Sequence, residues 1–435
     1  MRNLELYVHI PFCIRKCLYC DFLSASAEAS VRHVYINRLI DEIRTYAPDY
    51  RDCLVSSIYI GGGTPSILEP VQIEGLMEAL CGNFRVAEDA EISIECNPGT
   101  LTGEKAASMR RSGINRISFG LQSADDAELR TLGRIHTFAD FLRSFFSARE
   151  AGFTNINVDL MCALPGQSVK SWERTLRQTA DLCPEHISAY SLILEEGTPF
   201  FEQFREDGLA RERGDMPAFL PPEEEERRMY DLTGEYLRER GYRRYEISNY
   251  ALPGYECRHN IGYWTDKEYL GLGLGASSLI ENVRFRNTDV LAEYLSPRGY
   301  ADSGRTGSYT GLYAGREEKE RNHADGSKHT PVSELYAGRE EKEQTRTDVF
   351  PPRREEERRG RKEEMEEFMF LGLRMTRGIS RAEFRERFGV MPEEVYGNVL
   401  KGLKNEGLLD ISGGQIFLTR KGVDVSNMVF MKFLL

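Results

Sequence analysis

Three cysteines stand within eight residues near the start of the chain, at Cys13, Cys17 and Cys20. A structural zinc site usually takes four ligands, commonly as two separated pairs. Thiolates also hold iron–sulfur clusters, and a four-iron cluster with only three of them keeps one iron open to a small chelating molecule. Incidental burial of three cysteines is the alternative, but the CxxxCxxC spacing favours a metal site. We therefore predict an iron–sulfur cluster on this loop.

A glycine run, Gly61, Gly62 and Gly63 followed by Thr64, comes directly after the apolar stretch SSIYI. Glycine lets a backbone approach a ligand closely and leaves its N–H and C=O groups accessible. By itself the run fits an ordinary tight turn as well as a ligand-binding loop.

Polar side chains occur at or just after the later apolar stretches. They are Glu95, Gln122, Arg134 and Asp159. Burying an acid or an amide without a partner is costly, so for any one of them a satisfied core group is the commoner explanation. Because the strand ends of a parallel barrel meet at one face, we expect the four together to form a binding site.

Six short apolar, β-branched stretches alternate with helical patterns in the first two hundred residues. The predicted strands are 4–10, 56–60, 91–96, 116–122, 155–162 and 186–194. A helix is predicted over 32–47 with Val34, Ile36, Leu39, Ile40 and Ile43 on its apolar face, and others begin near Pro70, Thr102, Asp125, Phe138 and Ser168. The alternation predicts an α/β fold of parallel βα units. A partial (β/α)6 TIM-like barrel fits better than a doubly wound sheet, because candidate functional groups follow many strands rather than one switch point.

Composition and charge exclude several classes of protein. The net charge of −12 over 435 residues argues against nucleic-acid binding, which needs a basic surface. The chain has no apolar run of about eighteen residues or more and no basic, then apolar N-terminal segment, so we expect neither a transmembrane span nor a secretory signal. Nine scattered cysteines do not resemble an extracellular disulfide framework. These features predict a soluble, cytoplasmic protein.

Composition also suggests four regions. Residues 1–230 form the predicted core barrel, and residues 231–300 extend it. Residues 301–362 are rich in Gly, Ser, Arg, Glu and Lys, carry LYAGREEKE twice, at 312–320 and 335–343, and are predicted to be a low-complexity, disordered insertion. Residues 363–435 show helical patterns and then a Ser-Gly-Gly hairpin signal, which predicts a winged-helix-like domain. A DNA-binding regulator is therefore an alternative, but the acidic charge disfavours it.

The motifs resemble the radical S-adenosylmethionine (SAM) superfamily. In that family three thiolates, matched here by Cys13, Cys17 and Cys20, hold a [4Fe-4S] cluster whose open iron takes the amino and carboxylate groups of SAM. The resemblance implies that Tyr19 contacts the adenine and that the glycine run binds the methionine amino group. It also implies contacts with the ribose, carboxylate and adenine of SAM from a further set: Tyr7, Glu95, Gln122, Arg134, Asp159 and, less clearly, Ile193.

Within the superfamily, the stretches YVHIPFC, YIGGGTPS, LGRIHT and VDLMCALPGQ resemble oxygen-independent coproporphyrinogen III oxidases and the related HemW heme chaperones. The resemblance covers residues 1–300 and, more loosely, 363–435. The oxidase pattern has a fourth cysteine two residues after the third, whereas this chain has Phe22 there, as in the HemW pattern.

The stretch HNIGYW, residues 259–264, is similar to the HNxxYW segment associated with heme binding in HemW. Imidazole is a common axial ligand of heme iron, and aromatic rings can pack on a porphyrin face. The resemblance therefore implies heme ligation by His259, with Cys257 as a second candidate. A hydrogen-bonded structural histidine is the alternative.

Two functions stay open on this resemblance. The first is a heme chaperone that binds heme, the cluster and SAM and hands heme to acceptor proteins of the respiratory chain, with a homodimer allowed. The second is an anaerobic coproporphyrinogen III oxidase of porphyrin biosynthesis, in which a 5′-deoxyadenosyl radical takes a hydrogen from each of two propionates and CO2 is lost. Phe22 speaks against the oxidase, but the sequence leaves open whether the chain is an enzyme.

Overall fold

The computed structural model describes residues 1–296 and 353–434. Six parallel strands form the centre of a mixed sheet, each hydrogen-bonded to the next strand in the chain. They are β1 Arg2–Ile10, β2 Cys53–Gly62, β3 Val86–Cys96, β4 Arg116–Gln122, β5 Ile156–Cys162 and β6 His186–Ser191. All six predicted strands are present. The sixth ends at Ser191, so Ile193 lies in the following loop and not in the strand as predicted.

Helices connect these strands and cover one face of the sheet. They are α1 Ala29–Tyr46, α2 Pro70–Asn83, α3 Gly103–Arg111, α4 Asp126–Thr131, α5 Phe138–Glu150 and α6 Val169–Ala180. The predicted starts are accurate because Thr102, Asp125 and Ser168 are N-caps whose side chains accept backbone N–H bonds. Val34 is 43% exposed, contrary to its predicted place on the buried face, because Tyr35 occupies the inward position.

The six strands do not close into a ring within the described residues. Further strands extend both edges of the sheet, because Tyr269–Leu272 pairs with β1 and Asn249–Ala251 pairs with β6. The additional elements are α7 Pro199–Arg213, α8 Glu223–Glu239, β7 Arg243–Arg244, β8 Asn249–Ala251, α9 Arg258–Trp264, β9 Tyr269–Leu272, β10 Ser277–Ile280, β11 Val283–Asn287, α10 Leu291–Leu295 and β12 Arg353–Arg358. The predicted partial barrel is therefore confirmed.

Two of the described elements cross or precede predicted domain boundaries. The helix α8 runs across the boundary at 230/231 and packs on α6, where the Trp172 indole N–H donates to the Thr233 hydroxyl at 2.9 Å. Within the predicted insertion 301–362, residues 353–358 form β12 and pair with β11. A highly charged stretch can serve as an edge strand because its side chains stay in solvent. The rest of that insertion, with both copies of LYAGREEKE, lies outside the described residues.

The C-terminal region is a small domain with its own core. Its elements are α11 Arg361–Gly372, β13 Ile379–Ser380, α12 Arg381–Phe388, α13 Pro392–Asn405, β14 Leu409–Ser412, β15 Gln415–Leu418, α14 Arg420–Asp424 and α15 Ser426–Met431. Gly413 and Gly414, both with positive φ, form the turn of the β14–β15 hairpin. Helices followed by this hairpin confirm the winged-helix-like shape. Across all the described residues, no helix combines the length and the apolarity that a membrane span requires.

Candidate functional site

A cavity of about 300 Å³ opens at the C-terminal ends of the six parallel strands. Most of the predicted site residues line it: Cys13, Cys17, Tyr19, Cys20, Gly62, Gly63, Thr64, Glu95, Gln122, Arg134, Asp159 and Ile193. Tyr7 and Gly61 do not. Tyr7 lies deeper in the barrel, where its ring stacks on Tyr59 and its hydroxyl bonds to the His9 ring at 2.9 Å. The structure thus brings twelve of the fourteen predicted cluster and SAM residues to one cavity.

The cysteine loop is held against groups that donate hydrogen bonds to sulfur. The Thr64 hydroxyl donates to Cys13 Sγ at 3.4 Å, and Arg134 Nη1 donates to Cys17 Sγ at 3.3 Å. Burial raises the pKa of the Cys13 thiol and raises that of Cys20 to about 11. Thiolates at these positions therefore need compensating positive charge, which the iron of a cluster would supply. The groups that donate hydrogen bonds to the sulfurs would tune the properties of that cluster.

The three thiols must also be judged as a metal site. Within residues 1–296 and 353–434 no group of three or more His, Cys, Asp or Glu side chains is arranged as the ligands of a metal ion. The ligands of a single zinc ion all lie about 2.0–2.3 Å from it. Cysteines that hold a cubane bind different irons and need not converge on one point. Three cysteines on one loop beside one cavity fit that second arrangement.

The glycine run is needed because the chain passes close to its neighbours. Gly62 has φ +110°, and a Cβ atom there would lie 2.4 Å from the His9 ring. A Cβ atom on Gly63 would lie 2.7 Å from the Phe12 carbonyl oxygen. The run therefore positions the backbone against the start of the cysteine loop, and Gly62 N–H donates to the Glu95 carboxylate at 2.9 Å.

Two of the carboxyl groups that line the cavity, those of Glu95 and Asp159, lie on strands β3 and β5. Glu95 accepts from Tyr59 and Gly62, and its burial, with the nearby Asp159, raises its pKa to about 7. Asp159 accepts from Ser118 at 3.1 Å and from Asn157 at 2.7 Å, and burial raises its pKa too. A cationic ligand would stabilise both ionised forms. The SAM that the resemblance implies carries two such cationic groups, a sulfonium and an ammonium.

Asn97 is a functional candidate that we did not single out from the sequence. Its side-chain oxygen accepts from Arg134 Nη2 at 2.8 Å, and its amide donates to the Thr64 hydroxyl at 2.7 Å. It thereby links the two groups that donate to the cysteine sulfurs. The sequence did contain a signal for Asn97. It comes directly after β3, just as the other polar residues of the site come at or after the end of a strand.

The mouth of the cavity carries exposed apolar side chains. Ile193 is 68% exposed and Phe22 is 60% exposed, and both line the cavity. Gln122 has a positive φ of 73° and accepts from the Tyr190 hydroxyl at 3.0 Å, so its side chain is held at the wall. Phe22 therefore places an apolar ring where the oxidase pattern has a fourth thiol.

Comparison with known proteins agrees with this geometry. The radical SAM superfamily matches residues 7–179, and the HemN C-terminal domain matches residues 361–425. The heme chaperone HemW of Lactococcus lactis is 34% identical, over 99% of this chain and 97% of that protein, and HemW of Bacillus subtilis is 33% identical, over 98% of each. The chain belongs to the HemW family. Coproporphyrinogen III oxidase (HemN) of Escherichia coli shares the fold, with a TM-score of 0.75 and 24% identity over 100% of this chain and 90% of that one.

The helix α9 carries the HNIGYW stretch of this HemW-family chain and closes the opposite, N-terminal end of the barrel. His259 is 1% exposed, and its ring stacks on Tyr59 with 5.2 Å between centroids. Its Nδ1 bonds to the Ser57 hydroxyl at 2.9 Å and its Nε2 to the Tyr263 hydroxyl at 3.3 Å. Burial lowers its pKa to about 3. Both ring nitrogens are therefore hydrogen-bonded inside the barrel, and heme ligation by His259 stays a prediction.

Cys257, the second candidate ligand, also points into the barrel. It is fully buried, and its thiol donates to the Glu91 carboxylate at 3.4 Å. Burial raises its pKa to about 12. The carboxylate of Glu91 also accepts from the backbone N–H groups of Arg258 and His259, so it anchors the start of α9.

The close contact of α9 with β1 depends on Gly262. A Cβ atom there would lie 2.1 Å from the carboxylate oxygens of Glu5. We expect Gly262→Ala to lower the free energy of unfolding by about 2–3 kcal/mol, a typical cost of overpacking. Gly75→Ala, inside α2 with only Ile40 at 3.9 Å, is the matched control and should be neutral or stabilising by up to about 1 kcal/mol. Equal denaturant midpoints for the two variants would contradict the close packing of α9.

Proposed function

We propose that this protein is a heme chaperone that holds a [4Fe-4S] cluster with SAM, binds heme and passes it to acceptor proteins. The observation that carries the proposal is the similarity over 99% of the chain to a protein named heme chaperone HemW. Acceptors of the respiratory chain, a cytoplasmic location and a homodimer belong to the proposal as well.

Cys13, Cys17 and Cys20 would hold the cluster. Once bound, the cluster would supply the electron for reductive cleavage of SAM. Thr64 and Arg134 donate hydrogen bonds to the thiolates and stabilise their negative charge. The carboxylates at the cavity wall attract the cationic end of SAM, and the glycine run brings unblocked backbone groups beside it.

Phe22 distinguishes the chaperone from the oxidase. An additional thiol at this position would stand at the cavity mouth beside the cluster loop, whereas the phenyl ring offers no ligand and no proton. The oxidase would also need two propionate side chains brought to the SAM cavity. We therefore propose that decarboxylation of coproporphyrinogen is not the function.

The test is an anaerobic hemin titration of the cluster-reconstituted protein, followed by its Soret band. We expect saturable binding near one heme per chain and transfer of that heme to a heme-free acceptor with a distinct Soret maximum. Anaerobic incubation with coproporphyrinogen III, SAM and a reductant should give no vinyl product. The proposed chaperone function would be rejected if heme binding were not saturable or if vinyl products formed.

A further inference from the structure

Three side chains at the wall of the cavity form a hydrogen-bonded chain that ends on two of the cysteine sulfurs. Arg134 Nη2 donates to Asn97 Oδ1 at 2.8 Å, and Asn97 Nδ2 donates to the Thr64 hydroxyl at 2.7 Å. At one end of this chain, Arg134 Nη1 donates to Cys17 Sγ at 3.3 Å. At the other end, the Thr64 hydroxyl donates to Cys13 Sγ at 3.4 Å. Asn97 therefore contacts both of the groups that donate to these sulfurs.

We propose that Asn97 is a positioning residue for the iron–sulfur cluster. It fixes the direction of the hydrogen bonds that Thr64 and Arg134 donate to sulfur, and it thereby sets the reduction potential of the cluster. This inference rests on the proposed function, because it takes the three cysteines of the loop as the ligands of the cluster. It goes beyond that function by naming a residue that controls the cluster without binding it.

The direction of each hydrogen bond in this chain follows from the chemistry of arginine. A guanidinium has five N–H donors and no acceptor. The Asn97 atom that faces Arg134 must therefore be the amide oxygen, which turns the amide NH2 group toward Thr64. A hydroxyl has a single proton to donate. Because the Thr64 oxygen already accepts from Asn97, its proton is directed to Cys13 Sγ.

Asn97 is itself held in place by its backbone and by close packing. Its N–H donates to the Ser66 hydroxyl at 3.1 Å. Its carbonyl oxygen accepts from the Thr100 N–H at 3.1 Å and from the Thr100 hydroxyl at 2.7 Å. A Cβ atom on Gly120 would lie 3.1 Å from both Asn97 Oδ1 and Arg134 Nη2, so a glycine is needed where these two groups meet. The amide is therefore fixed well enough to hold both donors.

Hydrogen bonds to the sulfurs are among the properties that set the reduction potential of an iron–sulfur cluster. Reduction adds one electron from an external reductant, so the reduced cluster is more negative than the oxidised one. A donor to sulfur stabilises this additional charge and raises the potential. Loss of the donors that Asn97 holds should therefore make the cluster harder to reduce.

The test measures the midpoint potential of the cluster in the reconstituted full-length protein, by an anaerobic redox titration with dithionite that is followed by visible absorption. Asn97→Ala should keep about four irons per chain. We expect it to shift the reduction equilibrium toward the oxidised cluster by about tenfold, which is about 59 mV for a one-electron couple. Asn405→Ala, at an exposed position on α13, is the matched control and should have the wild-type potential.

Substitutions of Thr64 separate positioning from a merely structural role. Thr64→Val removes the hydroxyl and should lower the potential, whereas Thr64→Ser keeps the hydroxyl and should match the wild type. In the Asn97→Asp background, Thr64→Val should cause no further shift, because a carboxylate only accepts and has already drawn the Thr64 proton away from Cys13. If Asn97 were only structural, Thr64→Val would shift the potential equally in both backgrounds.

The outcomes distinguish this inference from the proposed function. If the wild type holds the cluster and Asn97→Ala keeps the wild-type potential, the role of Asn97 is wrong and the proposed function stands. The same conclusion follows if Thr64→Val shifts the potential equally in both backgrounds. If Asn97→Ala loses its iron, the two Thr64→Val shifts decide. If the reconstituted wild type holds no cluster, the proposed function fails and the role of Asn97 fails with it.

Discussion

Cys20→Ala is expected to abolish the iron–sulfur cluster, so that iron falls from about four atoms per chain to less than one. Two thiolates remain in this variant, and they leave two irons of a cubane without protein ligands. The rest of the loop cannot compensate, because in the described part of the chain Cys96 on β3, buried at the wall, is the one cysteine besides Cys13 and Cys17 that still lines the cavity. Iron and sulfide analysis after anaerobic reconstitution, together with the visible absorption of the cluster, measures the effect.

The matched control is Cys81→Ala. Cys81 is an exposed cysteine on α2 and does not line the cavity. This variant should keep the iron content and the visible spectrum of the wild type. The cluster assignment would be rejected if Cys20→Ala and Cys81→Ala retained the same amount of iron.

Glu95→Gln is expected to weaken SAM binding by about ten- to hundredfold, because a hydrogen bond to a charged group contributes about 1.5–3 kcal/mol. SAM carries an ammonium, a sulfonium and ribose hydroxyls, and an ionised carboxylate attracts all of these groups. The amide has nearly the same shape, and its single oxygen can keep one of the two hydrogen bonds that Tyr59 and Gly62 donate to the two carboxylate oxygens. Equilibrium binding of SAM to the cluster-loaded protein measures the loss.

The same carboxyl predicts a pH dependence. Burial raises the pKa of Glu95 to about 7, so its ionised fraction falls as the pH falls through that value. A cationic ligand prefers the ionised form, so wild-type affinity for SAM should rise between about pH 6 and about pH 8. In Glu95→Gln this rise should become smaller.

Glu104→Gln is the control for both measurements, because Glu104 is exposed on α3 away from the cavity. Its affinity and pH profile should equal those of the wild type. A Glu95→Gln profile as steep as the wild-type profile would show that Glu95 is not the group that titrates.

The central sheet and its helices could be predicted because their signals are local. Buried parallel strands are short apolar runs, and caps such as Thr102 and Ser168 mark helix starts through bonds to residues three positions away. The end of β6 and the strand β12 were missed for a different reason. Whether a charged segment such as 353–358 becomes a strand depends on the free edge of β11. That strand, residues 283–287, is distant in sequence from the segment.

The sequence by itself indicated the cysteine loop, most of the cavity residues and the family. Three thiols within eight residues must lie together in any fold, and polar residues that end parallel strands must meet at one edge. Only the tertiary structure decided which face of α9 points inward. The pattern HNIGYW places His259 and Trp264 on one short helix without saying which of them meets the barrel. Close packing of Gly262 against Glu5 settles it, because the glycine is the side that can approach β1, so the histidine is buried and the tryptophan is partly exposed.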